Sequence, residues 1–387
     1  MRKVTQWGVA MRTLMSRAAV AAAAAGALLI RTAGVASASG AAQVPAAGRK
    51  RWAVRRAGVL RAILAITASA ALCVAIAVAA LVLGAGQASA SPRGTNGQIT
   101  YDINNGDGVV TANPDGSHVR LVVPGTCCGD FSPDGSKLAV PYLTADGRIG
   151  PATVNADGTG NMPFPIHDPA LNIGCGTGSW SPDGKRLACE TWDDSNSARN
   201  GIYTISSADG SGLTRITANP LGGHDIPGSY SPDGTRIVFL RSDANQNSAG
   251  VFVVKTNDGQ LRQILPASMI INIGVDWSPQ GNEIIFSRHV TPDVLGSIWV
   301  VHANGTGLHE IHIRGLDCGA SYSDPSGVGC HGARWSPDGK KIIFVAVSPA
   351  TGIKNIYTAN ADGTGLTQVS FGGSDDDPAW GTHPPVR

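Results

Sequence analysis

Trp335-Ser336-Pro337-Asp338-Gly339, followed by Lys340-Lys341-Ile342-Ile343-Phe344, decides the fold of this chain. The unit recurs at Phe131-Ser132-Pro133-Asp134-Gly135, Trp180-Ser181-Pro182-Asp183-Gly184, Tyr230-Ser231-Pro232-Asp233-Gly234 and Trp277-Ser278-Pro279-Gln280-Gly281. Ser accepts in a turn, Pro pre-sets φ at the next position, Asp or Gln follows, and Gly closes. The aromatic residue before and the β-branched run after read as two strands of one hairpin. The five serines lie 49, 50, 47 and 58 residues apart, a period of blade-like four-stranded repeats.

A second turn runs in step with the first. Asp115-Gly116, Asp157-Gly158, Asp209-Gly210, Asp258-Gly259, Asn304-Gly305 and Asp362-Gly363 each lie between two short alternating runs, a hairpin signal. Two hairpins per repeat give four strands. Asp377-Pro378-Ala379-Trp380 repeats the aromatic strand without a Ser-Pro-Asp-Gly of its own. It is expected to supply the inner strand of a first blade whose other strands come from residues 98–123. The expected fold class is therefore all-β: a six-bladed β-propeller over residues 98–380, closed by strands from both ends, which removes open sheet edges.

The N-terminal region has a different composition. Eleven of the 30 Lys/Arg and none of the Asp/Glu lie in residues 1–90. Ala62–Leu83 is an uncharged run of 22 residues, preceded by the basic cluster Arg49–Arg56 and followed by Ala88-Ser89-Ala90. Residues 49–90 read as a secretory signal cleaved after Ala90, or as an uncleaved anchor. Arg55-Arg56 also admits a twin-arginine route. Residues 1–48 form an extension of uncertain role with a shorter apolar run, Ala18–Ile30. Residues 91–387 then carry 19 basic against 28 acidic residues, net −9. That balance argues against nucleic acid as a partner, because such binding rests on phosphate neutralisation. It also leaves any membrane contact to the N-terminal segment alone.

The pattern aromatic-Ser-Pro-Asp-Gly-x-x-Ile-x-Phe, then Ile-Tyr-x-x-Asn-Ala-Asp-Gly-Thr-Gly-Leu, resembles the WD-like propeller repeat of the TolB-like family. Residues 335–344 with 355–369, and 180–188 with 201–217, carry the likeness most fully. The resemblance implies a six-bladed propeller; it is specific as to fold and not as to function, because the signature positions are turns and core. The expected function is an exported, non-catalytic protein- or peptide-binding module of the cell envelope or the medium. TolB itself has an α/β domain ahead of its propeller, a pattern this chain does not show. Peptidases with similar propellers add a Gly-x-Ser-x-Gly elbow, which is likewise not found.

Both turns of each repeat are short and monotonous and should share one face. The opposite face receives the second-to-third-strand loops and the blade-to-blade loops, which vary, and variable loops on a rigid scaffold are where binding concentrates. The candidate binding residues at this channel mouth are Asp130, Trp192, His224, Asp225, Asp276, Tyr322, His331, Arg334 and Asp377. Tyr322 lies in Arg314–Ala333, the longest interruption of the repeat. No catalytic residue is assigned and no cofactor is required. An alternative reading makes the mouth a divalent-cation site of a lyase- or lactonase-type enzyme, with His224, Asp225 and His331 from different blades converging. A third is direct glycan binding, with Trp192 in contact. The expected state is a monomer with a protein or peptide partner on the loop-rich face.

Cys73 lies in the apolar run. Six cysteines remain, an even number that in an exported chain reads as disulfides. Cys318 with Cys330 bracket one loop, and Cys175 with Cys189 face each other across the Ser181–Gly184 turn. The adjacent Cys127 and Cys128 have no assigned partner, and no Cys-x-x-Cys supports a zinc cluster.

Overall fold

A computed structural model describes residues 94–382, apart from 105, 166–167, 177, 179, 290–295, 320–327, 349 and 372. The expected signal or anchor at 49–90, and Tyr322, therefore lie outside the described residues. Among the described residues no helix is long and apolar enough to cross a membrane.

Six four-stranded antiparallel sheets form the blades of the propeller. Blade 1 joins β24 (Asp376–Trp380) to β1 (Ile99–Ile103), β2 (Gly108–Ala112) and β3 (Arg120–Pro124). Blade 2 holds β4 (Asp130–Phe131), β5 (Lys137–Leu143), β6 (Ile149–Asn155) and β7 (Met162–Pro163). Blade 3 holds β8 (Asn172–Gly174), β9 (Arg186–Trp192), β10 (Gly201–Ser206) and β11 (Thr214–Arg215). Blade 4 holds β12 (Gly222–Tyr230), β13 (Arg236–Asp243), β14 (Ser248–Lys255) and β15 (Leu261–Pro266). Blade 5 holds β16 (Ile270–Trp277), β17 (Glu283–His289), β18 (Ser297–His302) and β19 (His309–Glu310). Blade 6 holds β20 (Gly329–Trp335), β21 (Lys341–Val347), β22 (Lys354–Asn360) and β23 (Thr367–Gln368). The shared sheet of β24 and β1 is the expected closure.

Each Ser-Pro-Asp-Gly turn satisfies itself. In blade 6 the Gly339 N–H donates to the Ser336 carbonyl at 2.8 Å, Ser336 Oγ donates to Asp338 at 2.8 Å, and the Lys341 N–H donates to Ser336 Oγ at 2.9 Å. Gly339 sits at φ +71°, where a β-carbon is strained, so glycine is required. Blade 5 carries Gln280 in place of Asp; its amide donates instead to the Asp338 carbonyl of the next turn at 3.0 Å. The turn carboxylates are thus occupied by the turns themselves.

The core lies between blades. Phe131, Tyr230, Trp277, Trp335 and Trp380 end their inner strands, and Trp180, beyond β8, bridges to Leu187; each is at most 4% exposed. Side chains just before them reach to the next blade. Ser229 Oγ accepts the Trp277 N–H at 2.7 Å, and Asp276 Oδ2 accepts the Trp335 N–H at 2.9 Å. The Trp180 ring N–H donates to the Asp130 carbonyl at 3.0 Å. Fourth strands are shorter than their sequence runs suggest: β7, β11, β19 and β23 span two residues each. They form the outer edge, which pairs on one side only, and short edges resist unwanted pairing.

The closing strand makes a specific prediction. Trp380 is 3% exposed and its ring N–H donates to the Gly97 carbonyl at 3.1 Å. Trp380→Ala should cost about 3–5 kcal/mol in chemical denaturation, and removal of residues 376–387 should abolish the cooperative transition. Unchanged unfolding of either variant would refute ring closure by this strand. Ser229→Ala, which orphans the Trp277 N–H, should cost about 1–3 kcal/mol.

Candidate functional site

The inner strands share a local device. Three residues before the closing aromatic, the chain is left-handed at Asp377 (φ +47°), Cys128 (+64°), Gly274 (+69°) and Gly332 (+63°). In blades 1, 5 and 6 the ladder shifts register there. The extra residue is a β-bulge, which re-aims the side chains leading into the loop-rich face. In β24 the bulge takes up Pro378, which has no N–H to give a ladder. Glycine meets the left-handed requirement freely in blades 5 and 6. Aspartate and cysteine in blades 1 and 2 carry a cost of about 1–3 kcal/mol each.

These two residues meet. Cys128 Sγ lies 3.3 Å from Asp377 Oδ2, and the Cys128 N–H donates to Asp102 Oδ1 at 2.7 Å. Asp102 stands on β1 across from Asp376 in the closing ladder. Donor atoms of Asp102, Cys127 and Cys128 lie within 4.8 Å of one another, and all three residues are buried. Burial first, and then the charge of Asp377, push the Asp102 carboxyl well above the usual range. Burial and then the neighbouring Asp376 push Asp377 up to about 7. The buried Arg334 guanidinium opposes both shifts. Beside it, Lys354 ion-pairs with Asp376. His331 is 6% exposed with Nδ1 3.7 Å from Asp376, and burial pushes its imidazole below the ordinary value.

A second group sits on blades 3 and 4. His224 Nδ1 is 2.6 Å from Glu190 Oε1, and the Trp192 ring centroid is 5.9 Å from that of His224. The Glu190 hydrogen bond holds His224 above its ordinary value of 6.5 against the opposing effect of burial. Asp225, adjacent in sequence, is fully buried. Both its oxygens are held by Arg241 at 2.7 Å, and Thr217 Oγ1 donates to one of them at 2.6 Å.

The residues singled out in the sequence thus fall into groups. His331, Arg334 and Asp377 come together at the blade 1–blade 6 joint, and Trp192 with His224 on blades 3 and 4. Asp130, Asp225 and Asp276 are buried and serve blade-to-blade or strand-to-strand bonds. His224, Asp225 and His331 do not point to a common centre: their side chains face Glu190, Arg241 and Asp376 respectively. Sequence reasoning missed Asp102, Glu190 and Lys354. Non-glycine residues at the left-handed repeat position were the available signal for the first group.

Three disulfides are present. Cys175–Cys189 joins the start of blade 3 to β9, and Cys318–Cys330 ties the base of the long loop before β20. Cys127 and Cys128 are bridged to each other.

The His224–Glu190 pair sets a pH dependence. Folding raises the imidazole value, so the stability it adds is complete below the ordinary value and is lost as pH rises through the higher folded one. Imidazole NMR should place His224 above 6.5. Glu190→Gln should lower it and flatten the fall in stability above that pH; an unshifted His224 resonance in this variant would refute the pairing.

No protein-family model matches the chain. It is 26% identical over 205 residues to the Tol-Pal system protein TolB of Francisella tularensis subsp. mediasiatica, covering 52% of this chain and 42% of that one. The match thus spans less than half the length of the curated relative. Among solved structures, TolB from Acinetobacter baumannii aligns over 73% of this chain and 66% of its own, with TM-score 0.57 and 17% identity. A TolB-type structure from Agrobacterium tumefaciens aligns over 76% and 94%, with TM-score 0.51 and 17% identity. The structural likenesses establish the fold, the sequence likeness accompanies it, and the strands from Ile99 to Trp380 form a six-bladed β-propeller similar to that of TolB.

Proposed function

We propose that the chain is an exported, non-catalytic protein- or peptide-binding propeller of the cell envelope or the medium, which takes its partner on the loop-rich face. The observation that carries this reading is that the most exposed large apolar side chain among the described residues stands on that face. Phe371 is 79% exposed, on the connection from β23 to β24 at that face. Ile353 at 44% and Leu221 at 46% lie on loops of the same face. The loop holding Phe371 runs beside the start of β22, since Ser374 bridges to Lys354. Exposed aromatic and aliphatic groups around a rim of charged residues are what a protein interface uses as anchors. The opposite face offers turns whose polar groups are already satisfied.

Other features agree with this reading. Three disulfides suit an oxidising compartment, and residues 49–90 are proposed as the export signal or anchor. The chain reaches the ring on the turn face, where the Gly94 N–H donates to the Pro337 carbonyl at 3.3 Å and Asn96 accepts from the Asp338 N–H. Trp192 and His224 are further proposed contacts, and Tyr322 a third, on the loop tied by Cys318–Cys330. Tying a loop at its base reduces the ordering cost of binding.

The test is capture of a partner from an envelope extract, followed by affinity measurement with purified proteins. Phe371→Asp should weaken binding about tenfold or more, the loss of a central anchor. Leu121→Asp, at a side chain 49% exposed on the outer strand β3, should leave it unchanged. His224→Ala with His331→Ala should leave the fold intact and abolish no turnover. Loss of binding in Leu121→Asp with none in Phe371→Asp would place the interface elsewhere. A hydrolytic or lyase activity lost in the histidine double variant would favour the enzyme reading.

A further inference from the structure

The Cys127–Cys128 bridge differs from its two companions in what it can do for the fold. Cys175–Cys189 and Cys318–Cys330 close sequence separations of 14 and 12 residues, so each restricts the unfolded chain. A bridge between neighbours closes no chain loop and brings no such stabilisation. Opening it releases no loop constraint on the unfolded chain. Its sulfurs are also the ones set among buried carboxylates, with Asp377 Oδ2 3.3 Å from Cys128 Sγ and Asp102 within 4.8 Å of both. Holding it there places a cysteine and an aspartate at left-handed positions that glycine fills in blades 5 and 6.

We propose that Cys127, Cys128, Asp102 and Asp377 form a redox-gated site for a thiophilic divalent cation of the Zn²⁺ class. In the disulfide form the site is closed. A dithiol reductant opens it: its two electrons break the Cys127–Cys128 S–S bond and its two protons pass to the cysteine sulfurs, while it becomes a disulfide. Cation binding then displaces the two thiol protons, and any proton held by the Asp102 and Asp377 carboxyls, to solvent and leaves two thiolates and two carboxylates around the metal. Two sulfur and two oxygen donors suit a four-coordinate zinc site. Thiolates select Zn²⁺ or Cd²⁺ over Ca²⁺, Mg²⁺ and Mn²⁺, which prefer oxygen donors alone. The buried Arg334 guanidinium offsets part of the excess negative charge of the loaded site.

The experiment is anaerobic titration of the full-length protein with Cd²⁺ or Zn²⁺, before and after reduction with a phosphine, with alkylation mapping to report which cysteines are free. The reduced, folded protein should bind one equivalent of Cd²⁺ with a thiolate-to-metal charge-transfer band, and the oxidised protein none. Cys318→Ser with Cys330→Ser should keep this behaviour, while Asp102→Asn should weaken binding about tenfold or more. Equal binding in oxidised and reduced protein would overturn the proposal. So would a full equivalent retained in Cys127→Ser with Cys128→Ser, or circular dichroism showing that the Cys127–Cys128 bridge opens only with unfolding. The comparison of oxidised with reduced wild type needs no substitution, so a variant that fails to fold does not remove the test.

Discussion

Antiparallel pairing between Asp376–Trp380 and Ile99–Ile103 is the contact on which the rest of the molecule depends. It joins strands almost 280 residues apart in sequence and converts an open array of sheets into a ring. An open array would leave unpaired N–H and C=O groups along the inner strand of blade 1. It would also leave Ile99, Tyr101 and Val110 uncovered, which now pack with Trp380 and with Ile343 and Val345 of blade 6. Gly381 and Thr382 complete the joint where blade 1 has no Ser-Pro-Asp-Gly turn. The Gly381 N–H donates to the Gln98 carbonyl at 2.9 Å, and Thr382 Oγ1 to the Pro133 carbonyl at 3.0 Å.

Once closed, the ring is held by contacts that repeat from blade to blade. The proline of one turn packs against the glycine of the next: Pro133 near Gly184, Pro182 near Gly234, Pro232 near Gly281. Inward of the turns, Ser229 and Asp276 each bond the backbone of the following aromatic. Ser229 Oγ and Asp276 Oδ2 thus each have a hydrogen-bond partner, which offsets the cost of burying them. Their polar character in the sequence suggested a channel lining; their geometry makes them fasteners between blades. The loop-rich face is left as the part of the surface where side chains are not committed to holding the ring.

The architecture was legible because both turns demand particular residues. Ser-Pro-Asp-Gly and Asp-Gly state their backbone conformations locally, so blade number, strand order and the closing strand follow from sequence alone. The mouth was only partly legible because it is built from non-local register. Asp102 gives no sign in its own stretch, Tyr101-Asp102-Ile103, that it will face Asp377 and Cys128; that depends on the bulge at Asp377-Pro378. Asp225 looked available beside His224, yet the alternation of a strand sends the two to different partners, Arg241 and Glu190. Phe371 was unreadable for another reason: an aromatic residue in a glycine-rich loop says nothing about burial until its neighbours are placed. Cys127 and Cys128 resisted pairing because spacing rules address loops, and adjacent residues close none.

The position of the acidic cluster follows from the position of the joint. Asp102, Asp376 and Asp377 all belong to the two strands that close the ring, so the same ladder that seals the propeller brings three carboxyl groups together, Asp102 and Asp377 buried and Asp376 half-buried. Full ionisation of such a group would be costly. Three features relieve it: Lys354 pairs with Asp376, the Arg334 charge opposes the other two, and Asp377 is pushed up to about 7 so that it retains a proton more readily. The left-handed backbone at Asp377 and Cys128 adds a further cost, one that glycine would avoid. A ring needs only the backbone pairing and Trp380 for closure; it does not need those side chains. The buried acids and the adjacent cysteines thus lie on, or in contact with, the two strands that close the ring.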